Sequence, residues 1–343
     1  LLPGDPERGL AMLQDSLRRA LALGLPYDTG RAYYNLGWGF QKRGRYSEAR
    51  ATYADLLAYA DPVGASLYVI AALVELARLD WYSGQWVAAL TRRQQILEWL
   101  AELPVAGRPG TFASTLFGEM LIDLGQAEAG RAELESGLSA ARSAADPDTT
   151  VPHLGQLVRA YAALRMDAET AAFVQEIVGW IGTRRYVDGG SIMPLLHVCL
   201  SSAARAADEG LGDATVFLRR LERAHEQWST PETDACLSEG LGSVALVDGD
   251  HHGAVGFLRH AATRWEEMGR PYDQARALSS LGWALVGIED PKAAGLAFSQ
   301  AVDLYASLAA QLEDVKLKQS FLNSQPVREA REARATLPTP GGP

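Results

Sequence analysis

The residues of this chain best suited to chemistry, six histidines and two cysteines, are spaced so that they diverge. A metal site on a helix needs ligands at i, i+3 or i, i+4 with further donors close by. His251 and His252 are neighbours in Asp248-Gly-Asp-His-His-Gly253, so their rings point apart, and the segment reads as a solvated turn between helices. His197 and Cys199 lie two positions apart and fall on different sides of a helix. His153 has no serine, cysteine or acidic partner in a recognisable arrangement, and neither a nucleophile elbow nor a Gly-x4-Gly-Lys-Ser/Thr phosphate loop is visible. These spacings imply no catalytic residue, no metal site and no cofactor. Cys199 and Cys236 supply no disulfide framework and read as reduced, partly buried thiols of a cytoplasmic protein.

What the sequence does carry is self-similarity. Gly24-Leu-Pro-Tyr-Asp-Thr-Gly-Arg-Ala-Tyr-Tyr-Asn-Leu-Gly-Trp38 matches Gly269-Arg-Pro-Tyr-Asp-Gln-Ala-Arg-Ala-Leu-Ser-Ser-Leu-Gly-Trp283 at nine of fifteen positions. Gly4, Gly44, Gly84, Gly125, Gly212 and Gly249 each read as a short break between helix-patterned segments, mostly 40 or 41 residues apart. A degenerate unit breaks near Met166, and Glu289 takes the glycine position of the last unit. Repetition at this period predicts an all-α superhelix of about seven helical hairpins, in which each unit buries its apolar face against its neighbours.

Within one unit, Ala32, Tyr33, Leu36, Gly37 and Phe40 form an apolar stripe, and Tyr46, Ala49, Tyr53, Leu56 and Leu57 form a second. Gly44 supplies the turn between them, while Gly37 and Ala49 let the helices approach. Asp28 and Asp273 are placed to cap the helices that follow, and Pro26 and Pro271 to stop those before. Longer connections are expected at residues 104–110, 145–152, 182–191 and 229–234. The segment Asp5 to Leu23 resembles the second half of a unit, and the chain opens on Leu, so it reads as a piece of a longer array. The array is expected over residues 1–312, a C-terminal helical cap over 313–336 and a disordered tail over 337–343.

Composition narrows the partners. A formal charge of −10 argues against direct nucleic-acid binding, which needs a basic face. No stretch approaches the ~20 uninterrupted apolar residues of a membrane span, and no charged-apolar-small leader opens the chain.

The hairpin pattern resembles the tetratricopeptide repeat. Its positions fall on Tyr33, Leu36-Gly37, Phe40, Ala49, Tyr53, Leu56 and Pro62, recur as Leu241-Gly242, Ala245, Ala254, Leu258 and Ala261, and recur again as Leu278, Leu281-Gly282, Leu285, Ala294, Phe298 and Ala301. The units around Leu73 to Leu97, Phe117 to Leu138, Val158 to Val178 and Ala204 to Ala224 keep it loosely. The period near 40, the Gly-x-Pro-Tyr-Asp lead and the closing Leu317-Lys-Gln-Ser-Phe-Leu-Asn-Ser-Gln-Pro-Val-Arg328 are similar to the C-terminal repeat arrays of large bacterial signalling proteins. Those include ATP-dependent regulators of the LuxR class, multidomain adenylate cyclases and signal-transduction ATPases. The resemblance implies a non-catalytic regulatory scaffold, the sensor or partner-binding arm of such a protein. Its alternative is a small-molecule effector sensor within an ATP-dependent transcription activator.

In such arrays the first helices line the concave face. The resemblance therefore places Arg31, Tyr34, Asn35, Trp38, Gln41 and Lys42 there, with Glu75, Arg78, Trp81 and Tyr82, and with Arg276, Ser280 and Trp283. Guanidinium and amide groups beside flat rings suit an extended peptide or a small polar ligand. Asn35 matches a peptide-contacting position of carboxylate-clamp repeats, but no matching Lys or Asn follows in the next units. Trp38 and Trp283 have a second reading, as packing between repeats.

Overall fold

Residues 5–102, 107–143, 146–182, 192–193, 195–196 and 209–337 are described by the computed structural model, and they contain sixteen helices and no strand. After α1 (Pro6–Ala22) come the hairpins α2 (Pro26–Gln41) with α3 (Tyr46–Ala60), α4 (Ser66–Tyr82) with α5 (Trp86–Glu102), α6 (Gly107–Asp123) with α7 (Ala127–Ser143), and α8 (Pro147–Ala163) with α9 (Asp167–Gly182). The array resumes at α10 (Glu209–Trp228), pairs α11 (Pro231–Val247) with α12 (His251–Glu267) and α13 (Pro271–Gly287) with α14 (Pro291–Gln311), and ends with α15 (Val315–Leu322) and α16 (Gln325–Thr336). The expected all-α superhelix of hairpins is what the chain forms.

The repeat unit follows from its sequence. Gly37 lets Tyr53 lie against α2, since a Cβ there would stand 2.6 Å from the ring, and Gly282 does the same for Phe298. Ala49, Tyr53 and Leu56 are fully buried beneath Leu36 and Phe40. Turns close at Gly44, Gly84, Gly125 and Gly249 with positive φ, and the two units without glycine take the same backbone at Arg165 and Glu289. The period thus survives where the residue does not, because neighbouring repeats hold the corner in place.

Several boundaries differ from expectation. Pro26 and Pro271 open helices rather than stop them, because proline at the first helical position loses an N–H that would be unpaired anyway. Asp28 and Asp273 consequently sit inside the first turn and pair with arginines instead of capping. Gly212 lies within α10, not at a break. The helices α6 and α8 begin at Gly107 and Pro147, ahead of the ends expected for those loops, and Pro152 is accommodated inside α8. The C-terminal cap is two short helices, split where Asn323 and Ser324 interrupt the run. Gly4, Arg184, Arg185, His197, Cys199, Ala204, most of the connection from 182 to 191 and the tail beyond Leu337 lie outside the described residues.

The array also curls back on itself, which a purely nearest-neighbour stack would not do. The corner at Gly44 meets Pro231 at the start of α11, the corner at Gly84 meets Pro271 at the start of α13, and the corner at Gly125 meets Ser320 and Ser324. The amide of Gln311 donates to the Gly84 carbonyl at 2.5 Å. Trp86, fully buried, stacks on Trp81 at 4.3 Å and meets Phe321 edge-on at 4.8 Å, joining the second hairpin to the cap.

Candidate functional site

The inward-facing first helices carry a ladder of opposite charges. Between α2 and α4 the Tyr34 hydroxyl donates to Glu75 at 3.4 Å, and between α4 and α6 Arg78 reaches Glu119 at 3.5 Å. Between α6 and α8 Arg159 binds Asp123 at 2.6 Å, and the Trp81 indole donates to the same carboxylate at 2.9 Å. In the later hairpins Arg276 pairs with Glu239 at 2.8 Å and with Asp273 at 3.0 Å, while the Trp265 indole donates to Glu239 at 2.9 Å.

Two residues weld the early and late ladders together. Lys42 at the end of α2 binds Glu232 at the start of α11 at 2.9 Å. Arg270, just before α13, binds Asp273 at 2.7 Å and Glu232 at 3.3 Å, and its guanidinium lies over the rings of Tyr82, at 3.9 Å, and Trp265, at 4.6 Å. A planar, weakly hydrated cation suits this slot, because its faces meet aromatic rings while its edges reach carboxylates.

The network borders a partly open cavity of about 40 Å³, lined in part by Trp81, Glu119, Asp123, Arg159, Trp265 and Arg276. That is room for a few waters or a small solute. Burial, opposed by the Arg78 guanidinium and reinforced by Asp123, lifts the Glu119 carboxyl from 4.5 to about 7. Burial also pushes the Cys236 thiol at the cavity wall well above its ordinary value, which makes it a poor nucleophile.

The positions expected on an open concave face therefore divide. Gln41 accepts from the Tyr53 hydroxyl and is buried, as are Glu75 and Trp81, while Arg78, Tyr82 and Arg276 are largely enclosed in the network. Tyr34, Trp38, Lys42 and Ser280 are half-buried. Only Arg31, Asn35 and Trp283 of that set stay exposed, Trp283 at 47% with one edge on Phe298. Trp38 and Trp283, equivalent in sequence, thus occupy different surroundings. Part of this face is thus covered, where Lys42, Tyr82 and Trp81 meet Glu232, Arg270 and Trp265 of the later repeats.

Sequence reasoning missed Glu119, Asp123, Arg159, Glu232, Glu239, Trp265, Arg270 and Asp273. A usable signal existed in part, since Arg78 and Glu119, and Glu239 and Arg276, are oppositely charged residues about one period apart on first helices. Arg270 gave none, because a residue at a helix-to-helix corner reads as solvated.

Among the described residues no group of three or more His, Cys, Asp or Glu could hold a metal ion, and no helix is long and apolar enough to cross a membrane. His251 is the first residue of α12 rather than part of a solvated turn, with its Nδ1 buried and unpaired and its ring beside Gly287. His153 is fully buried between the Thr115 hydroxyl at 2.9 Å and the Leu134 carbonyl at 2.7 Å.

No protein-family model and no curated protein matches the chain. Solved structures similar to it include the Cut9–Hcn1 hetero-tetramer of the APC/C, at 14% identity and a TM-score of 0.48 over 90% of this chain and 58% of that one. The chain thus spans a little over half the length of that relative. Others are the TPR domain of P58(IPK), at 16% identity and a TM-score of 0.25 over 92% and 82%, and the nuclear import adaptor Nro1, at 10% and 0.35 over 98% and 97%.

Proposed function

We propose that this chain is a non-catalytic protein-interaction and regulatory scaffold, the partner-binding or sensor arm of a larger bacterial signalling or transcription regulator acting in the cytoplasm. The observation that carries the reading is the division of the inner face: its buried part is committed to holding the array in a fixed curl, leaving Arg31, Asn35 and Trp283 as the solvent-exposed members of the recognition set. An exposed indole on α13 and exposed guanidinium and amide groups on α2 are residue types that serve as interaction anchors. A protein or peptide partner would engage these three residues, and a curl held by a few buried pairs is an element whose geometry binding could bias.

The test is a triple substitution, Arg31→Ala, Asn35→Ala and Trp283→Ala, followed by titration with a partner identified by cross-linking from position 283. Affinity should fall about tenfold or more, as loss of an interface anchor does, with unchanged circular dichroism. Unchanged affinity would overturn the assignment. A second reading, an effector sensor, is favoured by one observation, the polar cavity at the centre of the network.

A further inference from the structure

The charge network around the central cavity is unevenly neutralised. Asp123, Glu232, Glu239 and Asp273 each have a cation within 2.6 to 2.9 Å, from Arg159, Lys42, Arg276 and Arg270 respectively. Glu75 and Glu119 instead share the single guanidinium of Arg78, at 3.4 and 3.5 Å. Among the described residues the network holds one carboxylate more than its cations, and the surplus lies where Glu119 borders the cavity. A buried carboxylate so placed either holds a proton or accepts a cation. The rings of Trp81, Tyr82, Trp265 and Tyr272, with Met193, form the apolar part of a lining that Arg159, Arg270 and Arg276 share with Glu119, Asp123 and Asp273, and that part suits a short alkyl group.

We propose that this cavity is a binding site for a small alkylammonium compound, its ammonium group paired with Glu119 and its alkyl end against the aromatic wall. The assignment deepens the effector-sensor reading and rests on it. Among the described residues, the charged and titratable groups that bear on Glu119 include Arg78 and Tyr82 from α4, Asp123 on its own helix, Arg159 from α8 and Arg270 from the corner before α13. Three of these are permanent cations already committed to carboxylates, so the proton on Glu119 is the one the ligand displaces. Because Glu119 titrates near 7, binding takes up ligand and releases a proton, and it strengthens as pH rises.

The experiment is a titration of the whole chain with ethylammonium chloride, followed by tryptophan fluorescence and melting temperature against sodium chloride at equal ionic strength, with sodium acetate and ethanol as parallel probes. A saturable response to ethylammonium alone is expected, about tenfold tighter at about pH 8 than at about pH 6, and lost in Glu119→Gln. In weakly buffered solution near neutrality the wild-type chain should release protons on adding ethylammonium and none on adding sodium chloride, a readout that needs no variant. A saturable response to acetate or ethanol without one to ethylammonium would overturn the ligand class while leaving an effector cavity. No saturable response to any probe would overturn both, and an undiminished response in Glu119→Gln would overturn the assigned contact.

Discussion

The guanidinium of Arg270 stacks 3.9 Å from the ring of Tyr82, although the two residues belong to hairpins at opposite ends of the array. Tyr82 closes the first helix of the second hairpin, and Arg270 precedes the first helix of the last one. Their contact, with the Trp265 ring also 4.6 Å from the guanidinium, turns a chain of local repeats into a structure with long-range closure.

Closure should make the corner glycines unequal. Gly84 and Gly269 both have positive φ, but a Cβ at Gly84 would lie 2.7 Å from Pro271 and one at Gly269 would meet nothing within 4 Å. Gly269→Ala should cost about 1–2 kcal/mol for the left-handed backbone alone. Gly84→Ala should cost a further 1–3 kcal/mol or so by wedging the two parts of the array apart. Urea denaturation of both variants measures the difference.

The corners without glycine should respond oppositely. Glu289 is exposed and held at φ 59°. Glu289→Gly should leave stability unchanged or raise it by up to about 1 kcal/mol, whereas glycine substitution at helical Ser299 should lower it by roughly 0.5–1 kcal/mol. Thermal melts distinguish the two.

Packing inside a hairpin has its own test. Ala254 is fully buried against the preceding helix, and Ala254→Phe should overpack the pair at a cost of ~1–3 kcal/mol. An unchanged melting temperature would contradict the packing of α11 on α12.

Glu119 predicts a pH dependence of definite sign. Its folded-state carboxyl titrates near 7, above the ordinary 4.5, so the folded state binds the proton more tightly than the unfolded state. This group's contribution is most favourable below 4.5, is lost as pH rises toward about 7, and stays lost above it. Glu119→Gln should remove that slope and stabilise the protein at about pH 8, on the order of 1–3 kcal/mol. Denaturation midpoints of both proteins across that range provide the check.

Much of this architecture was legible in the residues. Tyr33, Leu36, Gly37 and Phe40 mark a helix face by their spacing, and the glycine corners mark the period, because both signals come from contacts within or between adjacent units. The turn at Glu289 could be placed by period alone. The curl could not, because it arises from pairs such as Lys42 with Glu232, separated by 190 residues, which leave no periodic trace. Glu75 and Trp81 read as groove residues for a related reason: their first-helix position was legible, and the partners that bury them, Tyr34 and Arg78 for Glu75 and Asp123 and Trp86 for Trp81, were not. Arg31, Asn35 and Trp283 sit where no such cover arrives.

The most direct test of the curled array is a double-mutant cycle on Tyr82 and Arg270, using Tyr82→Leu, Arg270→Met and the pair, with stability read from urea denaturation. Stacking in a desolvated site predicts a coupling of about 1–2 kcal/mol. Strict additivity of the two substitutions would mean that the ends of the array do not meet, and would contradict the account.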